Sequence, residues 1–320
     1  MAGTDPPRIP LVLVTGFLGS GKTTFLERVA ARHRDRRIVF LVNEFSPRDV
    51  DGERLRGAAD AVITVAGGSI FCRCVVTEFL YHLKGIPERF GAQGTTIDAV
   101  VVETSGMADP TAAGPLLRET RLDRLYRLVP AVALVDPRSL YKVLHTLPAA
   151  RAQIQSAATV VLNKIDLCSP AEVEDAERCV RELAPAARIL RAVRAEVDVD
   201  LFGCPETPAT PVREAELAAC ADPAYARVVL RFHGPADLGA LQRLLSGLGD
   251  DLYRAKGFVP GADGRLHYVD FSASGLSIGG CSSACGAEPE LAVIARGPSG
   301  PRVRSLLSGI TNAAPLPESP

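Results

Sequence analysis

An α/β fold, a parallel sheet with helices on both faces followed by a smaller α+β domain, is predicted by three observations. Short apolar runs alternate with longer helical patterns up to about residue 200, those runs are rich in Val, Ile and Leu without strict alternation, and a proline-rich stretch then changes the rhythm. Strands buried on both faces of a parallel sheet carry such continuous runs, because neither face meets water. The expected strands are 9–15, 38–42, 61–65, 99–103, 131–135, 159–163 and 188–192. Helical patterns lie between them at 23–33, 75–84 and 171–183, with another beginning near Pro137. Strand and helix in steady succession argue for a parallel sheet.

The change of rhythm is GCPETPATP at 203–211, whose three prolines in a polar run make a stiff, extended connection. It sets a first domain at 1–205, a linker at 206–224 and a second domain at 225–300. The second domain reads strand 227–232, helix 235–248, then strands 253–259, 265–273 and 291–296. Residues 301–320 are expected to be a short helix from Pro301 and a disordered tail, AAPLPESP.

Composition narrows the function classes. With 320 residues, 47% hydrophobic and 23% charged, the chain has a soluble globular composition. A net charge of -1 supplies no basic surplus for nucleic acid, and the arginines at 32–37 read as a solvated helix end. The start, MAGTDPPRIP, lacks a secretory pattern, and the apolar run 11–18 is too short to cross a bilayer. A cytoplasmic protein without a membrane partner is expected. Eight unevenly spaced cysteines do not form a secreted framework, so the thiols are expected reduced and close pairs become metal or redox candidates.

The strongest motif is GFLGSGKTT at 16–24, which follows an expected strand and opens an expected helix. It fits G-x-x-x-x-G-K-[ST], a P-loop. Gly16, Gly19 and Gly21 let the backbone curl so that N–H groups of the loop, with Ser20 and Thr24, face a polyphosphate at the helix N-terminus. Lys22 is expected to reach the β- and γ-phosphates as a catalytic cation, and Thr23 to ligate Mg²⁺. An apolar strand ending in Glu103, before Thr-Ser-Gly106, offers a carboxylate for the Mg²⁺ side or for the attacking water, with Gly106 allowing the next loop to move. Asn163-Lys164-Ile165-Asp166 closes another strand and is similar to the guanine-specifying motif of P-loop GTPases. A carboxylate such as Asp166 can accept both guanine edge donors, which adenine lacks. GTP with Mg²⁺ is therefore the expected ligand.

GFLGSGKTT, Asn43-Glu44-Phe45, ETSGMADP at 103–110, the NKID run and Tyr253-Arg-Ala-Lys-Gly-Phe-Val together resemble the CobW family of P-loop GTPases, over roughly 9–297. The resemblance implies a metallochaperone that couples GTP to delivery of zinc, cobalt or a related ion. It places Glu44 in the first switch, within reach of Mg²⁺ or the transported metal, with Asp49 and Asp51 as weaker candidates in the same loop. The family's C-x-C-C motif is incomplete here, because the region reads GGSIFCRC at 67–74. Aligned on the glycines, Ser69, Phe71 and Cys72 stand at the cysteine positions; aligned on Cys72-x-Cys74, Val75 takes the third. Cys72 and Cys74 supply two soft ligands, and a tetrahedral site needs more, from Glu44 or His82. Arg73 would lower the thiol pKa values. Cys281 and Cys285 form a second pair, and Cys168, Cys179, Cys204 and Cys220 are isolated.

These residues support a slow GTPase that delivers Zn²⁺ or Co²⁺ to a client metalloprotein. A second reading keeps the GTPase as a conformational chaperone of a cofactor-dependent enzyme, such as a corrinoid one, and a third uses Cys72 and Cys74 as a redox pair. A homodimer is compatible with each.

Overall fold

The computed structural model describes residues 8–44, 55–56, 59, 61–66, 69–72, 75–91, 96–202, 225–272, 275–280, 289–296, 299–307, 309–310 and 312–315. They divide between two units, Met1–Cys220 and Ala221–Pro320. In the first, β1 (Ile9–Thr15), β2 (Ile38–Glu44), β3 (Val62–Ala66), β4 (Ala99–Glu103), β5 (Tyr126–Val135), β6 (Ala157–Leu162) and β7 (Arg188–Arg191) form a parallel sheet ordered β3-β2-β4-β1-β5-β6-β7.

Both faces are covered, which explains the unbroken apolar runs. Leu11, Leu13, Val100 and Val102 meet Phe79 and Leu83 of α2 (Val76–Gly91) and Leu116 and Leu117 of α3 (Ala113–Glu119). Their strand neighbours Val12, Val14 and Val101 point the other way, onto Phe25, Leu26 and Val29 of α1 (Lys22–Arg32). The period of two is present in space although hydrophobicity along the strand hides it. A third cluster packs Val160 and Leu162 against α4 (Pro137–Thr146), α5 (Pro148–Gln155) and α6 (Pro170–Leu183).

Helix α2 runs past the expected end at Lys84, through Gly85 and Pro87. Tertiary packing decides this. Ile86 is fully buried and Phe90 packs on the same cluster. Fully burying one such side chain is worth about 1.5–3 kcal/mol, and Ile86 together with the partly buried Phe90 offsets the roughly 3 kcal/mol that an internal proline costs.

The second unit is a sheet ordered β11-β10-β9-β12-β8-β13, built from β8 (Tyr225–Phe232), β9 (Leu252–Pro260), β10 (Leu266–Ser272), β11 (Gly275–Gly280), β12 (Glu290–Arg296) and β13 (Ala313–Pro315). Its pairs are antiparallel. Leu241 and Leu245 of α7 (Leu238–Gly247) and Val303 and Leu307 of α8 (Gly300–Leu307) fill one core with Val228, Leu230, Val269, Leu291 and Val293. The expected disorder from Ala313 is corrected here. Ala313–Pro315 pairs with β8, and Asn312 fixes the entry, donating from Nδ2 to the Pro235 carbonyl at 2.8 Å and accepting from the His233 N–H at 2.8 Å. The linker at 206–224 and residues 316–320 lie outside the described residues.

Candidate nucleotide and metal site

The phosphate loop lies where β1 gives way to α1, and at Gly16 and Gly21 its backbone is open only to glycine. Gly16 has φ 131° and Gly21 φ 104°; a Cβ would stand 2.2 Å from the Leu134 carbonyl oxygen at the first and 2.3 Å from Asn163 Nδ2 at the second. Gly19 is also left-handed, at φ 78°. Helix α1 starts with no side-chain cap and no acidic residue in its first turn. By contrast Asp136 caps α4, Ser169 caps α6 and Asp237 caps α7. The first turn of α1, with no side-chain cap, therefore presents its N–H groups and the positive end of its dipole to an anion. Ser20 Oγ and Thr15 Oγ1 are buried with no hydrogen-bond partner among the described residues. Donors of this kind in this place fit a polyphosphate. Lys22 lies back over the loop, donating to the carbonyls of Gly16 at 2.8 Å and Phe17 at 3.2 Å, and Thr24 follows, half-buried.

Thr23 and Glu103, 80 residues apart in sequence, meet. The Thr23 hydroxyl donates to Glu103 Oε1 at 3.1 Å, and Oε2 is 3.4 Å away. Glu103 is buried at the end of β4, beside β1, where the register sets Val14 opposite it. A hydroxyl and a carboxylate beside a phosphate loop are the oxygen ligands that Mg²⁺ takes. The loop after Glu103 is tied down on several sides. Thr104 N–H donates to the Val14 carbonyl at 3.0 Å, and Gln153 of α5 donates to the carbonyls of Gly106 at 3.2 Å and Ala108 at 2.9 Å. A Cβ on Gly106 would stand 2.5 Å from the Leu18 N. Glycine is needed there for close approach to the phosphate loop, a reason the sequence did not show.

The residues expected at the base divide their work. Asn163, buried at the end of β6, donates from Nδ2 to the Ser20 carbonyl at 2.8 Å and accepts at Oδ1 from the Ala195 N–H at 2.8 Å. It ties the phosphate loop to the turn at Arg194 and Ala195, both of which have positive φ. Lys164, at φ 64°, lies along the site with Nζ 3.4 Å from Asp136 Oδ2. Asp166 is exposed and makes no hydrogen bond or ion pair among the described residues. Its carboxylate is available to a ligand. Burial pushes the thiol of nearby Cys168 up.

On the far side of Glu103, β2 ends at Glu44, whose side chain lies outside the described residues, as do Asp49, Asp51, Arg73, Cys74, Cys204, Cys220, Cys281 and Cys285. Cys72 is buried, at 4% exposure, in the core beneath α2. Its N–H closes a turn on the Ser69 carbonyl at 2.9 Å, and its own carbonyl accepts from Val76 N–H at 3.0 Å, at the start of α2. His82, with Nε2 3.8 Å from Glu78, sits further along α2. Among the described residues no three metal-ligating side chains cluster.

Sequence reasoning missed Gln153, Asp136 and the Ala195 turn, and took Asn43 only as part of a motif. Gln153 and Asn43 are buried amides bonded to backbone at more than one point. A polar residue inside an apolar stretch is the signal each leaves.

Residues 10–191 match the family model described as the CobW/HypB/UreG nucleotide-binding domain, and residues 225–311 match that of the cobalamin synthesis protein cobW C-terminal domain. Among relatives, a zinc chaperone, YjiA, of Escherichia coli K12 is 26% identical over 274 residues, 81% of this chain and 84% of that protein. The zinc chaperone YeiR of the same organism is 29% identical, spanning 78% of this chain and 74% of that one. The crystal structure of Zn(II)-bound YjiA GTPase from E. coli superposes with a TM-score of 0.44 at 21% identity, covering 95% of this chain and 99% of that one. Among the described residues no helix is long and apolar enough to cross a membrane.

Proposed function

The chain belongs to the CobW/HypB/UreG family of nucleotide-binding proteins, and on that premise we propose that it is a GTPase that couples its nucleotide state to delivery of a transition metal, zinc or cobalt, to a client metalloprotein. The observation that carries the nucleotide half is the Thr23–Glu103 contact beside an uncapped helix and a glycine loop. The names of the relatives, zinc chaperones, support the metal half.

Each residue has a separate task. Gly16, Gly19 and Gly21 shape the loop, and Ser20 and the first turn of α1 hold phosphate oxygens. Lys22 exchanges its two loop carbonyls for the β- and γ-phosphates. Thr23 and Glu103 hold Mg²⁺, which when bound supplies neutralisation of the phosphate charge. Asp166 accepts from the guanine edge, Lys164 lies along the base, and Asn163 braces the two loops from behind. Glu103 is also a candidate to orient the attacking water, but its contact with Thr23 commits it to the metal side. With Glu103 committed to the metal side, intrinsic turnover is slow and a partner accelerates it. Cys72, with Cys74 and Glu44, takes the transported ion.

One observation favours a second reading. Cys72 is packed in the core, so a thiolate there must be uncovered before it can bind a metal. A conformational chaperone that gates a cofactor-dependent enzyme, without carrying metal itself, needs no such opening.

Titration of Zn²⁺ and Co²⁺ into the reduced protein, with and without a non-hydrolysable GTP analogue, separates the two. The metallochaperone reading expects binding that depends on nucleotide and is lost in the double variant Cys72→Ser/Cys74→Ser. Equal, negligible binding in every sample rejects it in favour of the second.

A further inference from the structure

Asn43 stands on β2 between the two strands that carry the nucleotide and cysteine loops. In register, Val42 is opposite Glu103 of β4 and Asn43 is opposite Val65 of β3. Its carboxamide is buried, and the one oxygen Oδ1 accepts two backbone N–H groups, from Ser105 at 3.2 Å and from Ile70 at 3.1 Å. Its Nδ2 reaches the Val65 carbonyl at 3.4 Å. Ser105 lies two residues beyond Glu103, which touches Thr23, and Ile70 lies two residues before Cys72, inside the turn closed by the Ser69 carbonyl.

We infer that Asn43 is a positioning residue that carries the nucleotide state from the loop after Glu103 to the turn holding Cys72. A single acceptor shared by two buried amides cannot follow one without straining or breaking its bond to the other, so the two loops have paired arrangements. If bound nucleotide holds Glu103 in place, the Ser105 N–H would be held with it, and Asn43 would then select the arrangement of the turn at 69–72. Leaving GDP behind releases the loop, and the turn shifts the exposure of Cys72 and the start of α2. The inference rests on the nucleotide half of the proposed function and is independent of metal binding.

The test uses metal-free, reduced, full-length protein. Alkylation of Cys72 by a maleimide is followed by peptide mass spectrometry in GDP–Mg²⁺ and in a non-hydrolysable GTP analogue–Mg²⁺. The native protein is expected to show rates differing by at least about fivefold, the lower end of ordinary coupling between sites. In Asn43→Leu, which removes the acceptor, the two rates should converge to within about twofold; in Asn43→Asp, whose oxygens still accept both amides, the difference should persist. A merely structural role would raise Cys72 reactivity in both states and leave their ratio unchanged, which overturns the inference, as does a native ratio of one. Should Asn43→Leu fail to fold, hydrogen exchange in the native protein decides: peptides spanning 69–72 and 104–108 must change protection together between the nucleotide states, and independent changes overturn it. Coupling without any metal binding would sink the metallochaperone reading and leave this one standing.

Discussion

Replacing Asn163 by Ala removes a brace, and the cost can be worked from its two bonds. The side chain is 2% exposed and joins the Ser20 carbonyl to the Ala195 N–H, each at 2.8 Å. Truncation leaves both partners buried and unmatched. At about 1–3 kcal/mol for each orphaned group, the total is roughly 2–6 kcal/mol, a large part of the ordinary 5–15 kcal/mol of a folded domain. Hydrogen exchange of amides in β1 and β6, measured on the nucleotide-free full chain, reads this directly. Protection should fall by roughly 30-fold to 10⁴-fold, at 1.4 kcal/mol for each factor of ten. The lost bonds hold loops rather than the base, so GTP and ATP affinities should weaken by the same factor. Protection within about twofold of native, or a loss confined to GTP, would refute the assignment of Asn163 as a brace.

Other outcomes follow from the same contacts. Glu103→Gln removes the charge beside Thr23 while keeping the shape, so the Mg²⁺ concentration needed for half-maximal turnover should rise by about tenfold or more; an unchanged Mg²⁺ requirement, read by phosphate release, would remove Glu103 from the metal side. Gly106→Ala sets a methyl 2.5 Å from the Leu18 backbone, and the resulting shift of about an ångström should lower turnover by up to about 10²-fold, whereas turnover within about twofold would show that the loop yields freely. Asp166→Asn should erase most of the preference for GTP over ATP in competition binding, and retained discrimination would move guanine recognition elsewhere. The Ser169 backbone N–H and hydroxyl hold the Glu172 carboxyl below its ordinary value of 4.5. A depressed carboxyl stabilises the fold above that value and loses its contribution as the pH falls through the lowered pKa. The thermal midpoint of Glu172→Gln should therefore lie below native at neutral pH and meet it in acid; a gap that persists in acid would exclude the cap.

How much of this was legible in the sequence depends on whether a role is local. The strands of the parallel sheet could be read because burial on both faces leaves unbroken runs such as Ala99–Glu103. The phosphate loop could be read because glycine spacing, Lys22 and the helix start act within nine residues, 16–24. The path of α2 through Pro87 could not, since the packing of Ile86 and Phe90 that overrides the proline belongs to the tertiary fold. Nor could β13, a three-residue edge strand whose place is set by Asn312 and its partner β8. At the site, the contact of Thr23 with Glu103 follows from β1 lying beside β4, and the sequence suggested both residues separately. The bracing by Asn163, Gln153 and Asn43 was invisible, because a side-chain amide announces neither its partners nor its burial. The thiol region was half legible: the departure from C-x-C-C was plain, while the burial of Cys72 depended on the Ser69 turn and α2 above it.

Central to the proposed function is that nucleotide state governs the transported metal. Zinc-loaded, GTP-bound protein mixed rapidly with Mg²⁺ and a chromogenic chelator tests it in a single turnover, with phosphate release recorded in parallel. Zinc transfer to the chelator should follow the rate constant of GTP hydrolysis and change in step with it in Glu103→Gln. Zinc release at one rate whether GTP, its non-hydrolysable analogue or GDP is bound would contradict it.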